Sequence, residues 1–202
     1  MKKMLLTGGN GDLAVYLKSY FEDKFIIDTP SKKHLDVSSI ESVESYFVNR
    51  AYDIVVNLAG TLHSSNILES NASLWIRDIN VNLIGTYLVC KEAISKNSNS
   101  FLINISSTAA FNSYNDWSSY CASKAGVLKV SSALFKDNYN VVTLCPGAID
   151  TKFRDDLNII NPNVMSIEEG AKPIIDAIEG VYDSGDVIFY RKGITKKIID
   201  HD

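Results

Sequence analysis

The residues that are scarce in this 202-residue chain narrow its chemistry first. It has only three cysteines and three histidines, and neither set clusters. Cys90, Cys121 and Cys145 are odd in number and widely spaced, which suits neither a disulfide framework nor a metal site. Small buried hydrophobes are their expected role. His34, His63 and His201 also stand apart, so a metal enzyme is not expected. No run of about 18 apolar residues occurs, so no membrane span is expected. The opening MKKMLLTGGNGD has only Met4, Leu5 and Leu6 before a glycine turn. That is too short for the apolar core of a secretory signal, and the expected location is cytoplasmic. Basic charge is not in excess either: the formal net charge of −4 gives no electrostatic reason to expect nucleic acid as a partner. Repeats, low-complexity tracts and domain linkers are missing, and the length suits one domain over residues 1–202.

What is present is an alternation of two periods. KKMLLTGG, KFIIDT, YDIVVNLAG, SFLINISS, YNVVTLCPG and GDVIFY read as strands buried on both faces. Between them DLAVYLKSYFED, SIESVESYFVNR, DINVNLIGTYLVCKEAIS and SSYCASKAGVLKVSSALFKD carry helical periodicity. Two helix starts fit the capping box, Ser38 with Glu41 and Ser166 with Glu169. Strand–helix alternation over the whole length predicts an α/β fold with a doubly wound parallel sheet. The stretch DTKFRDDLNIINP, Asp150 to Pro162, is polar and without period. It is expected to be a mobile flap within a short substrate region at about 150–170.

Three local features raise a functional question. LLTGGNGDLA opens the first helix after the first strand, where Gly8 and Gly11 permit either a tight structural turn or close approach to a pyrophosphate. YDIVVNLAG ends with Asn57, Ala59 and Gly60, small residues that leave room at a strand exit or simply end the strand. Tyr120 and Lys124 are four residues apart, one helical face. The same spacing occurs at Tyr20–Lys24 and Tyr87–Lys91, but thirteen residues before those tyrosines stand Thr7, already in the glycine turn, and Leu74, whereas Tyr120 has Ser107, a hydroxyl where a strand leaves for a loop. A serine hydrolase is excluded, since no histidine or glycine-flanked nucleophile accompanies the serines.

TGGNGDLA, the LDV of 35–37, NLAG, DINVNLIGT, NISS, YCASK and CPGAIDT follow one another as they do in the short-chain dehydrogenase/reductase family. The chain resembles that family over roughly residues 4–151. The resemblance implies a Rossmann-type, three-layer α/β/α sandwich that binds NAD or NADP and interconverts a carbonyl and an alcohol on a small-molecule substrate. It makes Tyr120 the general acid or base, Lys124 its electrostatic helper and Ser107 the anchor for the substrate oxygen. Asn82 is the fourth member, propping a helix open and holding a relay water. It also implies a cofactor site. Thr7, Gly8, Asn10, Gly11, Asp12 and Leu13 belong to its glycine turn, and Asp28, Asp36 and Val37 to its adenine end. Asn57, Ala59, Gly60, Tyr120 and Lys124 follow, then Pro146, Gly147, Ile149 and Thr151 beside the nicotinamide. The chemistry suits these types. Hydride arriving at a carbonyl carbon leaves negative charge on oxygen, which needs a proton donor, and a nearby ammonium lowers a phenol pKa from its usual value of about 10.

Some features depart from the pattern. Asp28 favours NAD, whereas Lys32 and Lys33 just beyond it favour NADP. The link from Asp28 to Asp36 is short, as in the sugar-nucleotide reductases, so a reductase or epimerase of that extended branch is an alternative. A non-catalytic dinucleotide-binding regulator is another. The helix from Ser118 has apolar positions on more than one stripe, which fits either a homodimer or homotetramer or burial against the chain's own sheet.

Overall fold

Alternating burial along the first apolar run sets up the layers. In the computed structural model, which describes residues 1–154 and 161–199, β1 (Lys3–Leu6) sends Met4 and Leu6 into one apolar cluster and Leu5 into another. Successive strand side chains take opposite faces, so this short strand belongs to two cores. The first cluster is covered by α1 (Asp12–Phe21) and α6 (Ile167–Ile178). The second is covered by α2 (Ile40–Phe47) and α4 (Gly85–Lys96). A Leu→Ala change at such a position typically costs about 2–5 kcal/mol.

The remaining strands are β2 (Ile26–Asp28), β3 (Ile54–Asn57), β4 (Phe101–Ile105), β5 (Val141–Pro146), β6 (Val187–Arg191) and β7 (Ile194–Ile198). They form one seven-stranded sheet in the order β2-β1-β3-β4-β5-β6-β7. All neighbours are parallel except β6 and β7. The chain leaves β1 for β2 on one side and returns to β3 on the other, which makes the C-terminal ends of β1 and β3 the switch point where α/β sheets open a crevice. This is the three-layer α/β fold expected from the alternation. β7 is an addition to the strands read from sequence. The turn at Lys192–Gly193, with Gly193 at φ 73°, folds it back on β6 as a hairpin.

Two helical details differ from expectation. The cap of α2 is Ser39, whose Oγ accepts the Ser42 N–H at 3.2 Å. Ser38 instead donates to Asp36, so the Ser38–Glu41 box does not form. The Ser166–Glu169 box does form, with both reciprocal hydrogen bonds. The helix expected from Asp78 starts earlier, as α3 (Ala72–Ile79) capped by Asn71, and passes into α4 through a π-helical turn at Asn80–Ile84. One extra residue in that turn widens the helix around Asn82, a deformation often found at functional sites. Of the expected flap, residues 155–160 lie outside the described residues; Lys152–Arg154 form a 3-10 turn.

Candidate active site

The switch point is held by one hydroxyl. Thr7, at the exit of β1, accepts the N–H groups of Leu58 and Ala59 at 3.0 and 3.1 Å. That locks the exits of β1 and β3 side by side. Gly8 then turns at φ 68°, and a Cβ on it would lie 3.0 Å from the Ala59 backbone. Glycine is needed there for both conformation and space. Gly9 is packed still more closely: a Cβ would meet the Thr29 carbonyl oxygen at 2.2 Å. α1 begins immediately afterwards without a side-chain cap, so its first-turn N–H groups face the crevice unpaired by any capping side chain.

From this turn a cavity of about 1080 Å³ runs across the sheet ends. Gly8, Asn10, Gly11, Asp12 and Leu13 line it from the glycine turn, and Ala59 and Gly60 from the exit of β3. Pro146, Gly147, Ile149 and Thr151 line it after β5, and Ser107, Tyr120 and Lys124 complete the wall. Thus most residues anticipated for cofactor and catalysis meet in one space.

α5 (Ser118–Lys136) supplies Tyr120 and Lys124. The Lys124 ammonium lies 5.6 Å from the Tyr120 ring centroid and donates to the Ile105 carbonyl at 2.8 Å. Ser107, following β4, caps a 3-10 turn (Thr108–Ala110), and its Oγ accepts the Ala109 N–H at 3.1 Å. Burial pushes the Tyr120 phenol up to about 12, while its hydrogen bond with Ser107 pulls it back. Burial lowers Lys124 to about 8, and the Asp78 carboxylate works against that shift. By contrast, Tyr20 and Tyr87 are 46% and 47% exposed. Lys24 bridges to Glu179 and Lys91 to Glu92, so those two pairs are surface features.

Six anticipated residues do not line the cavity: Thr7, Asp28, Asp36, Val37, Asn57 and Asn82 are engaged by other protein groups. Asn82 is fully buried, and its carboxamide is fully engaged. Oδ1 accepts the Thr61 N–H at 2.8 Å, and Nδ2 donates to the Thr61 carbonyl at 2.8 Å and to Ser123 Oγ at 3.0 Å. Asn57 points into the layer beneath α4 and α5, where Nδ2 donates to Asn104 Oδ1 at 2.8 Å. Asp28 accepts the Tyr52 hydroxyl at 2.5 Å. Asp36 accepts the Ser38 N–H and hydroxyl at 3.0 and 2.6 Å and pairs with Lys32 at 3.6 Å. Val37 is lodged against Gly85, where a Cβ would come within 2.7 Å of it.

Sequence reasoning missed Asp78. It is fully buried and accepts from Thr61 Oγ1 at 2.8 Å, the His63 N–H at 2.6 Å, Ser119 Oγ at 2.8 Å and Arg77 at 3.1 Å. Asp78 and Asn82 are four residues apart, as are their partners Ser119 and Ser123 on α5. Two rungs therefore join α3 and its π turn to the helix that carries Tyr120, with Thr61 held between them. The matching i, i+4 spacings were the available signal. Phe153 also reaches the site. Its ring centroid is 6.0 Å from that of Tyr120, and a Cβ on Gly60 would lie 3.9 Å from both Phe153 and the Lys124 ammonium.

An uncharacterized oxidoreductase of Thermotoga maritima is 36% identical over 106 residues, 49% of this chain and 41% of the relative. Matches to curated relatives span 22% to 58% of their length. Among solved structures, a small-chain dehydrogenase in complex with NADPH superposes with a TM-score of 0.85 at 18% identity, covering 95% of this chain and 97% of the other. 4-Hydroxyisoleucine dehydrogenase complexed with NADH gives 0.81 at 19%, covering 96% and 98%. At those identities the superpositions show a shared fold. The short chain dehydrogenase profile matches residues 33–160, more than half of the sequence and the part that carries Ser107, Tyr120 and Lys124, so the chain belongs to the short-chain dehydrogenase family.

Proposed function

We propose that the protein is an NAD(P)-dependent oxidoreductase that interconverts a carbonyl and an alcohol, with Tyr120 as general acid or base. The observation that carries this reading is the meeting of the Ser107 hydroxyl, the Tyr120 phenol and the Lys124 ammonium in the cavity that begins at the glycine turn.

The residues present fit a dinucleotide. Gly8 and Gly11 bring bare backbone to the cavity wall, the uncapped start of α1 offers N–H donors for a pyrophosphate, and Gly60 keeps space open beside Lys124. Ala59, Pro146, Gly147, Ile149 and Thr151 would continue the site, while Asp28, held by the Tyr52 hydroxyl outside the cavity lining, gives no selection between a ribose diol and an added phosphate. NAD and NADP are both compatible with that set. A bound nicotinamide supplies or accepts the hydride. Ser107 Oγ holds the substrate oxygen, and the Tyr120 O–H gives its proton as negative charge grows there. The Lys124 ammonium stabilises the resulting phenolate. Burial raises the phenol and lowers the amine only to about 8, so at neutral pH Tyr120 carries the proton that the reductive step needs. Asn82 and Asp78 keep the exit of β3 and the start of α5 in register. With its carboxamide taken by Thr61 and Ser123, Asn82 has no side-chain group left for the expected relay water, and its part in this reading is to brace the π turn at Asn80–Ile84.

The three thiols are unpaired, which fits a reducing compartment such as the cytoplasm. Among the described residues no helix is long and apolar enough to cross a membrane. Assembly as a homodimer or homotetramer belongs to the same reading. Part of the second apolar face of α5 is used within the chain, where Leu83 packs onto Gly126, but Ala122, Ala133 and Phe135 remain exposed.

The test is a fluorescence titration with NADH and NADPH, followed by turnover of a carbonyl panel and of Tyr120→Phe. Binding of one dinucleotide with loss of turnover in the variant is expected. Indifference to both dinucleotides ends the reading.

A further inference from the structure

The cavity beyond Ser107 has an uneven distribution of charge and aromatic surface. Four arginines are present in the chain. Arg50 donates to the Tyr46 carbonyl at 2.6 Å and Arg77 pairs with buried Asp78. The other two, Arg154 and Arg191, both line the cavity, and the guanidinium of neither takes an ion-pair or hydrogen-bond partner among the described residues. Asp12 and Lys152, also in the lining, neutralise each other at 3.6 Å. What remains is Lys124, Arg154 and Arg191 against Asp116 alone, a cationic space in a chain of net charge −4. A concave wall of one sign draws ligands of the other.

Arg191 is tied to the reacting end of the cavity by the backbone. Ser107 Oγ lies 3.5 Å from the Pro146 carbonyl, and at the next residue a Cβ on Gly147 would come within 2.9 Å of the Arg191 Cβ. The base of the Arg191 side chain therefore sits one residue along the wall from the position that holds the substrate oxygen. Beside Tyr120 the wall is aromatic. Tyr114 meets Trp117 at 5.3 Å between centroids, Trp117 meets Tyr120 at 5.9 Å, and Tyr120 meets Phe153 at 6.0 Å.

We infer that the substrate is an anionic carbonyl compound whose carboxylate or phosphate is held by Arg191 and Arg154, with its body lying against the Tyr114–Trp117–Phe153 wall. Guanidinium groups hold either anion through paired N–H donors. The inference rests on the oxidoreductase reading for the identity of the carbonyl, but the anion site stands on its own residues.

Two matched pairs test it: benzoylformate against its methyl ester, and dihydroxyacetone phosphate against dihydroxyacetone. In the wild-type protein with its preferred dinucleotide, kcat/KM should favour the charged member of at least one pair by roughly 10- to 100-fold. The pair that shows the preference distinguishes carboxylate from phosphate. Arg191→Gln and Arg154→Gln should each remove most of that preference through KM, leaving the neutral member's kcat/KM and the dinucleotide Kd unchanged. Equal rates on both members of both pairs, or a preference that survives the double variant, overturns the inference. So does weakened NAD(P)H binding with discrimination intact, which would assign the arginines to the cofactor. If no carbonyl turns over, quenching of Trp117 fluorescence in a Trp75→Phe background by the charged members but not the neutral ones still supports the anion site, while the oxidoreductase reading fails. No quenching by any of them overturns the site as well.

Discussion

The carboxylate of Asp78, without solvent exposure, accepts the hydroxyl of Ser119 at 2.8 Å, one residue before the candidate acid Tyr120. This contact fixes where α5 begins and places a negative charge behind Tyr120 and Lys124. The charge raises the pKa of both groups. Asp78→Asn should therefore move the basic limb of the kcat/KM profile to lower pH, because an amine without a neighbouring anion holds its proton less tightly. It should also cost about 1–3 kcal/mol of stability, since several donors lose a charged acceptor. A pH–rate profile alongside urea denaturation checks both. An unmoved limb would mean that the residue acts only as a structural tie.

Lys124 itself makes activity and stability respond to pH in opposite directions. Its pKa is lowered to about 8 when folded, against about 10.4 in an unfolded chain. Between those values the unfolded state binds more protons at this position, so its contribution to stability rises with pH across that window. Below pH 8 the buried ammonium is a standing cost. Proton-donating activity should fall through the same range as the ammonium is lost. Denaturation of wild type and Lys124→Met at pH 7 and pH 9.5 should show the wild type gaining on the variant at the higher pH.

Tyr120→Phe should lower turnover by about 10²- to 10⁴-fold, the usual range for losing a general acid. NAD(P)H affinity should change by less than about threefold, because ring and packing are kept and removing one hydroxyl leaves no charge unpaired. Stopped-flow turnover and a binding titration separate the two effects. Retained turnover would remove the phenol from the chemistry.

Two glycines should separate binding from folding. A Cβ on Gly60 would lie 3.4 Å from Asn82 Oδ1 and 3.9 Å from both Lys124 and Phe153, contacts the protein can accept. Gly60→Ala should melt near the wild-type temperature yet bind dinucleotide roughly tenfold more weakly, as expected for a methyl placed in a ligand's space. Gly9→Ala forces a backbone oxygen away from 2.2 Å and should lose about 2 kcal/mol or more in folding stability. Thermal melts and NADH titrations of both variants should show this crossed pattern.

The legible parts of the molecule were those governed by order and period. Ser107, Tyr120 and Lys124 could be singled out because one stands at a strand exit, the other two share a helical face, and the motif order of the family joins them. Six of the strands are apolar runs and declared themselves. β7 did not, because ITKKI is largely exposed and lacks an apolar face. The π turn was hidden because one extra residue leaves helical periodicity almost intact. The α2 cap was misplaced by one residue: Asp36 competes for Ser38, which leaves Ser39 to the helix. At the adenine end, Asp28 read as a ribose ligand, whereas Tyr52, far along the chain, takes one of its oxygens. Such partners follow from tertiary packing, and local spacing does not reveal them.

The hairpin at the far end of the sheet bears on how copies of the chain can meet. β7 presents Lys196 and Lys197 along its rim, and at the opposite margin β2 is only three residues long. Charged or very short margins resist strand-to-strand annexation by another chain. Any self-association is thereby steered away from extending the ladder and toward the helical faces, where α5 also carries Tyr120 and Lys124. A neighbour docked there would touch the same rod that bears the proposed acid.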